Sequence, residues 1–284
     1  MSACVVSIGD ELLRGSSLDE NTPWIAGKLL ELGFETKCFV CLPDERTSLV
    51  RTLKHLANEF SLIVVTGGLG PTQDDITREA AAEAFQAPLE LHRELIDGMR
   101  HFFLARGKDM PARNRRQAEI PKGAEILPNP LGTAPGFSFS RGDKRIFFLP
   151  GVPKEMKAIF RENVVDLLNQ WQTVERVPIS SKSLNVYGIG ESALEEKLGA
   201  LVSRDGNPSI GFSCSPALNS IHVMAYGEEA EDLVNSMLSK IRAILPEQIM
   251  GAPSESPARA LISLARDSAL SFAVVDGASG GRLI

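Results

Sequence analysis

Short apolar runs, CVVSI, ETKCFVCL and SLIVVTGG, alternate with segments of helical period along the first part of the chain, and this alternation constrains the fold more than any other feature. Strand, helix and strand in repeated succession imply a mostly parallel sheet with helices on both faces, and such sheets gather ligands beyond the carboxyl ends of their strands. Helices are expected near Thr22 to Leu32, stopped by Gly33, and through TSLVRTLKHLANEF, ITREAAAEAF and LELHRELIDGMRHFFLARG. A hairpin is expected over GFSFSRGDKRIFFLPG, and a helix through PKEMKAIFRENVVDLLNQW closes the unit.

At 284 residues the chain exceeds one ordinary domain, and its pattern changes near Thr173. The expected organisation is a first α/β domain over 1–172 and a small α+β domain over 173–251, ordered strand, helix, two strands, helix. Residues 252–284 hold the linker GAPSESP, one helix (ARALISLARD) and one strand (LSFAVVDGASGG). A lone helix and strand bury too little apolar surface to fold alone, so they are expected to open a third domain.

Composition excludes several classes. A hydrophobic share of 43% with 23% charged residues and no long apolar run describes a soluble chain, not a membrane one. MSACVVSIGDELL carries no basic leader, so the expected location is the cytoplasm. A net charge of −6 gives no broad footprint for nucleic acid. Of the four cysteines, only Cys38 and Cys41 have a spacing suggestive of metal or redox chemistry. Strand alternation sends them to opposite faces and no second pair completes a zinc site, so buried apolar thiols are the expectation.

The loops that follow the strands carry the chemistry. In SIGDELLRG, Gly9 is expected to let the backbone turn, placing Asp10 and Glu11 at a strand's carboxyl end, with Asp19 and Asn21 following in LDEN. Turn or cap roles would serve Asp10 and Asp19 equally well. In VVTGGLGPTQDD, Gly67, Gly68 and Gly70 allow backbone N–H groups to converge on an anion, and a helix expected from near Thr72 adds its positive end. No Lys-Ser/Thr pair follows, so this is not a Walker loop, and the dinucleotide fingerprint is incomplete.

Thr72 and Asp75 have the spacing of a capping box, and Asp74 suits a helix's first turn. Capping leaves unexplained why so many carboxylates crowd a face built for phosphate. A hard divalent cation such as Mg²⁺ resolves the conflict, the acids holding the metal and the amides the phosphate. Asp10, Asp74 and Asp75 are the candidate metal ligands, and with Asp19 the candidate catalytic acids. Asn114 and Gln117 are candidate amide readers of the substrate, and a turn from Gly132 through Thr133 to Gly136 is expected to line the same cleft. Glu155 stands at another strand exit, stiffened by Pro150 and Pro153. For both of these loops a rigid turn plus an N-cap is the competing reading.

Taken together, SIGDELLRG, DEN, VVTGGLGPTQDDITREA, RNRRQAEIP, NPLGTAPGF and LPGVPKEM resemble the competence/damage-inducible CinA family, in family order and across nearly the whole first domain. The resemblance implies a molybdopterin-binding-like three-layer α/β sandwich, followed by a small KH-like α+β domain at VYGIGES that lacks a basic GXXG loop. It also implies metal-dependent hydrolysis of ADP-ribose to AMP and ribose 5-phosphate. The cofactor would be Mg²⁺ or another divalent metal, with K⁺ as a further candidate. The expected partners are a nucleotide-sugar diphosphate substrate and a second copy of the chain, with neither nucleic acid nor membrane. The alternatives are a non-hydrolytic pterin- or nucleotide-binding module and a remnant of a nicotinamide-nucleotide amidase. The family's third domain is such an amidase, opening on a motif of the form AESCTGG. Here Gly277 stands at the position of its nucleophilic serine, with Ser279 two residues on, so deamidation is not expected.

Overall fold

The computed structural model describes residues 2–171, 177–203, 206–214 and 218–273. Its contacts divide the chain into two units, Met1–Arg176 and Val177–Ile284.

The first unit opens with β1 (Ser2–Ile8), α1 (Asp10–Leu13), α2 (Asn21–Glu31), β2 (Glu35–Leu42), α3 (Arg46–Glu59), β3 (Leu62–Thr66) and α4 (Thr77–Ala84). There follow β4 (Leu89–Leu91), α5 (Arg93–Leu104), a 3-10 helix over Ala112–Ala118, β5 (Glu119–Pro121), β6 (Glu125–Leu127), β7 (Gly136–Arg141) and β8 (Lys144–Leu149). α6 (Pro153–Ile159) and α7 (Val165–Asn169), joined by a π-helical turn over Phe160–Val164, close the unit.

Six strands form one sheet in the order β2-β1-β3-β8-β7-β6. The first four run parallel, and the β7–β8 hairpin turns the far edge antiparallel. The near-continuous apolar runs of β1 and β3 are what a strand covered on both faces requires. Cys4, Val6, Ile63 and Val65 face α3 and α4 in one core, while Ala3, Val5, Leu62 and Val64 face α2, α6 and α7 in the other. This is the expected three-layer α/β sandwich. The register pairs Ile8 with Leu42, Ser7 with Thr66 and Thr66 with Leu149, so four parallel strands end at one level.

Three local expectations need correction. The LEL segment is not helical; it forms β4 and pairs with β5, and the helix starts only at Arg93. α4 starts at Thr77, not near Thr72. Cys41 is exposed, near the end of β2, an edge strand of the sheet, whereas Cys4 is buried and Cys38 half-buried. Burial pushes the Cys4 thiol far above the ordinary thiol range, helped by its neighbour Cys38.

The second unit comprises β9 (Ile179–Val186), α8 (Glu191–Leu198), β10 (Ser209–Cys214), β11 (Asn219–Tyr226), α9 (Ala230–Ile244), β12 (Ile249–Met250) and α10 (Pro257–Asp267). Its sheet, in the order β10-β11-β9-β12, is wholly antiparallel. Alternate residues of β11, from Ile221 to Ala225, pack with Val234, Leu238 and Ile241 of α9 in a separate core. This is the small α+β architecture read from the sequence. The strand expected over LSFAVVDGASGG does not form in 270–273; its remainder, with Gly277 and Ser279, lies outside the described residues. Among the described residues no helix is long and apolar enough to cross a membrane.

Candidate functional site

The aligned strand ends open into a cleft of about 780 Å³. β1 and β2 supply its acidic wall. The Asp10 N–H donates to Asp44 Oδ2 at 3.0 Å, and the Asp44 N–H donates to Asp10 Oδ1 at 3.3 Å. Neighbouring parallel strands thus end in two like charges fixed by each other's backbone. Arg14 donates to Asp10 Oδ2 at 2.5 Å. Burial pushes the Asp44 carboxyl above its usual range; the hydrogen bond from Asp10 opposes this, and the charges of Glu11, Asp10 and Asp75 add to it. Sequence reasoning missed Asp44, although it stands at a strand exit just as Asp10 does. Gly9 is extended, at φ 161°, so no tight turn demands a glycine there.

β3 supplies the glycine loop. Gly67 and Gly68 have positive φ values of 112° and 67°, which side chains rarely adopt. A Cβ on Gly67 would lie 2.2 Å from the Ile8 carbonyl oxygen, so no larger residue fits between the ends of β1 and β3. The first two residues of α4 hold the loop from below. Thr77 donates to Gly67 O through its hydroxyl at 2.9 Å and to Gly68 O through its N–H at 3.2 Å. Arg78, only 1% exposed, donates to Leu69 O at 2.5 Å and to Gly70 O at 2.9 Å. Burial pushes its guanidinium below the usual arginine range.

The two acids at the loop's exit differ. Asp75 accepts from the N–H groups of Gly70 and Thr72, both at 2.8 Å, and from the Thr72 hydroxyl at 2.5 Å. The capping-box pair therefore exists, but it clamps the loop, because the helix has not yet begun. Asp74 also lines the cleft, is exposed, and makes no hydrogen bond or ion pair among the described residues. The amides expected to converge on an anion are likewise divided. The Gly67 N–H donates to Leu149 O at 3.0 Å and that of Gly70 to Asp75, whereas those of Gly68 and Leu69 have no partner among the described residues.

The opposite wall is a polar frame. Gln117, 1% exposed, donates to Leu69 O at 3.4 Å and accepts from Asn114 at 2.9 Å and Thr133 at 3.0 Å, joining the glycine loop to the 132–136 turn. Gln117 and Thr133 line the cleft, with Asn114 bracing them from behind. Glu155 accepts from Asn129 at 2.7 Å, and Asn129 in turn caps the Leu131 and Gly132 N–H groups and donates to Ala134 O. Asn129 and Arg78 are further residues that sequence reasoning passed over. An asparagine between prolines has the form of a turn signal, whereas nothing marked Arg78 as facing inward.

Asp19 and Asn21 do not join this cleft; they line a smaller neighbouring cavity of about 110 Å³. Asp19 accepts from the N–H groups of Asn21 and Thr22 and from the Thr22 hydroxyl, which is a helix-cap role. Burial alone would raise its carboxyl, but hydrogen bonds from Thr22, Ser7 and Asn21 outweigh this and hold it below the usual range. Asn21 ties the strand ends together, donating to Thr66 Oγ1 at 3.0 Å and Gly151 O at 2.8 Å.

Comparison with known proteins agrees with this architecture. A family model described as "Probable molybdopterin binding domain" matches residues 4–170, and one described as "Damage-inducible protein CinA KH domain" matches residues 181–251. A CinA-like protein of Dictyoglomus turgidum is 34% identical over 98% of this chain and 67% of its own length. One of Thermomicrobium roseum is 34% identical over 100% of this chain and 70% of its own length. The crystal structure of the protein CinA from Thermoplasma acidophilum, 29% identical, covers 58% of this chain and 97% of its own, with a TM-score of 0.54.

Proposed function

This chain belongs to the competence/damage-inducible CinA family, and from that premise we propose that its first unit is a metal-dependent nucleotide pyrophosphatase acting on ADP-ribose to give AMP and ribose 5-phosphate. The observation that carries this reading is the pairing of opposite needs in one cleft. Two N–H groups without a partner among the described residues, of Gly68 and Leu69, suit a phosphate, while the Asp74 carboxylate, likewise unengaged among them, and the crowded Asp10, Glu11 and Asp44 suit a cation.

The acids fit Mg²⁺ in a particular way. Among the described residues no three carboxylates, histidines or cysteines converge closely enough to hold a metal. Mg²⁺ commonly takes one or two carboxylates and keeps several waters, so Asp74, which makes no hydrogen bond or ion pair among the described residues, would be the first ligand, with one acid of the Asp10, Glu11 and Asp44 wall as a second. Asp75, committed to the loop through both oxygens, is better suited to holding the glycines than to ligating the ion directly. A bound divalent ion would supply charge neutralisation of the pyrophosphate and activation of the attacking water. The chain's own residues supply the rest: Gly68 and Leu69 bind phosphate oxygens, Gln117 and Thr133 shape the substrate pocket, and Glu155, held by Asn129, offers a fixed carboxylate across the cleft. A cleft of about 780 Å³ falls within the size range of small-molecule and cofactor sites.

The test is chromatography of ADP-ribose incubated with the protein, with and without divalent metal. AMP and ribose 5-phosphate appearing only with metal is the expected result; intact ADP-ribose that nonetheless binds would assign the cleft to a non-hydrolytic module. The second unit is read as a dimer-forming module. Its outer sheet face pairs Ser220 with Asn185, His222 with Ser183 and Met224 with Ser181, and so lacks the Lys and Arg that nucleic-acid phosphates require. Sedimentation equilibrium showing a monomer would overturn that assignment.

A further inference from the structure

Four successive carbonyls of the glycine loop, those of Gly67, Gly68, Leu69 and Gly70, are all taken by the first two residues of α4. Thr77 takes the first two and Arg78 the last two. A trans peptide points its N–H opposite to its C=O. Tying these carbonyls to the helix therefore turns the N–H groups of Gly68, Leu69 and Gly70 away from it, and residue 71 is a proline with none to offer. Asp75 meets the Gly70 N–H, which leaves those of Gly68 and Leu69. We propose that Thr77 and Arg78 are positioning residues that aim the Gly68 and Leu69 N–H groups into the cleft as the donors for one phosphate group of the substrate.

This rests on the reading of the cleft as a phosphate site but adds two residues outside the lining. Arg78 has no carboxylate within ion-pair distance among the described residues; its neighbour Glu79 is bonded to Arg116 instead. Burying a guanidinium is costly, and here its donors meet backbone carbonyls rather than a counter-ion. A helix stabilised only by packing would have no use for that arrangement, whereas a loop that must keep its peptide planes fixed against an incoming anion has.

The experiment uses inorganic pyrophosphate, in buffer containing Mg²⁺, as the probe of the full chain. In ¹⁵N-labelled wild-type protein, pyrophosphate should shift the Gly68 and Leu69 amides most and leave those of Gly67 and Gly70, already bonded, nearly unmoved. Calorimetry should then give at least tenfold weaker pyrophosphate binding for Thr77→Val, which is nearly isosteric but lacks the hydroxyl, and for Arg78→Lys, which keeps the charge but loses the fork. Thr77→Ser should stay within threefold of wild type. Because the amide shifts are read on the wild type, the outcome does not depend on every variant folding. Wild-type binding with shifts centred on other amides, or with Thr77→Val and Arg78→Lys unimpaired, overturns the assignment of these two residues alone. No pyrophosphate binding by the wild type overturns the phosphate reading along with it.

Discussion

Replacing Asp74 and Asp75 separately by asparagine should divide stability from chemistry at adjacent positions. Asp75 holds three donors, two of them on Oδ2. An asparagine can keep the Gly70 N–H on its amide oxygen but turns its NH₂ toward the Thr72 N–H, losing charge-assisted bonds worth about 1.5–3 kcal/mol each before solvent compensation. With the loop partly exposed, a net loss of about 2 kcal/mol is expected, lowering Tm by about 4–8 °C in a unit of this size. Asp74 makes no such bonds, so Asp74→Asn should leave stability within about 0.5 kcal/mol of wild type. Its ADP-ribose turnover in excess Mg²⁺ should nonetheless fall about a hundredfold or more, the scale of losing one electrostatic group at a reacting centre. Calorimetric melts and chromatographic turnover on the two variants suffice. If Asp74→Asn turns over like wild type, the free acid is not serving a metal. If both variants lose the same Tm, Asp74 belongs to the clamp and the division of roles is wrong.

Three other outcomes follow from the same geometry. Chelation of divalent metal should weaken ADP-ribose binding at least about tenfold, roughly 1.4 kcal/mol, in a calorimetric titration, because bare carboxylates would then face a bare pyrophosphate; equal affinities with and without metal would remove the case for a cation. Asp19→Ala should cost about 1 kcal/mol at neutral pH. Since the folded state holds the Asp19 carboxyl below its usual range, that contribution is present above the range and lost as pH falls through it, so urea melts of variant and wild type should converge in acid. Asp44 has the opposite sign: its raised folded value makes ionisation a cost that grows as pH rises through that value. Asp44→Asn should therefore gain Tm relative to wild type at pH 8 and not at pH 3, in metal-free buffer.

The sheet was legible because burial on two faces leaves a plain mark: Val5, Val6, Val64 and Val65 sit in uninterrupted apolar runs that only a covered parallel strand can use. The loops were less so, and the reasons are specific. Thr72 and Asp75 are three apart whether they cap a helix or clamp a turn, and only the absence of helical bonding before Thr77 separates the two. Arg78 sits in a helix rich in alanine and glutamate, where an arginine reads as solvated; the carbonyls it serves belong to another segment and leave no trace in its own periodicity. Asp44 was missed because its exit, LPDERTS, has no glycine to draw notice, although the rule that ligands sit beyond parallel strand ends applies equally there. Glycine misled in the other direction at Gly9, whose backbone is extended. Three residues of strand, as in β4, carry no period at all, and pairing with β5 decided them.

The acidic wall is also what would give the cleft, on the proposed function, a use for a cation from solution. Asp10 and Asp44 are held by each other's N–H groups, so the backbone fixes the two charges without neutralising them. Arg14, the cation bonded to this pair among the described residues, has a side chain 74% exposed, and an ion pair so open to water contributes little. Burial of Asp44 beside Glu11, Asp10 and Asp75 is thus a standing cost in the metal-free protein. A divalent ion bound there would relieve that cost and, by binding the folded state alone, would raise stability by mass action. It would also weaken the negative field that a pyrophosphate would meet at Gly68 and Leu69. Because the proposed donors for the anion are uncharged amides on a loop fixed from beneath, they would not offset the wall by themselves. On the proposed function, metal affinity and phosphate affinity would therefore be coupled through charge, each ligand tightening the other by the same factor, as linkage requires.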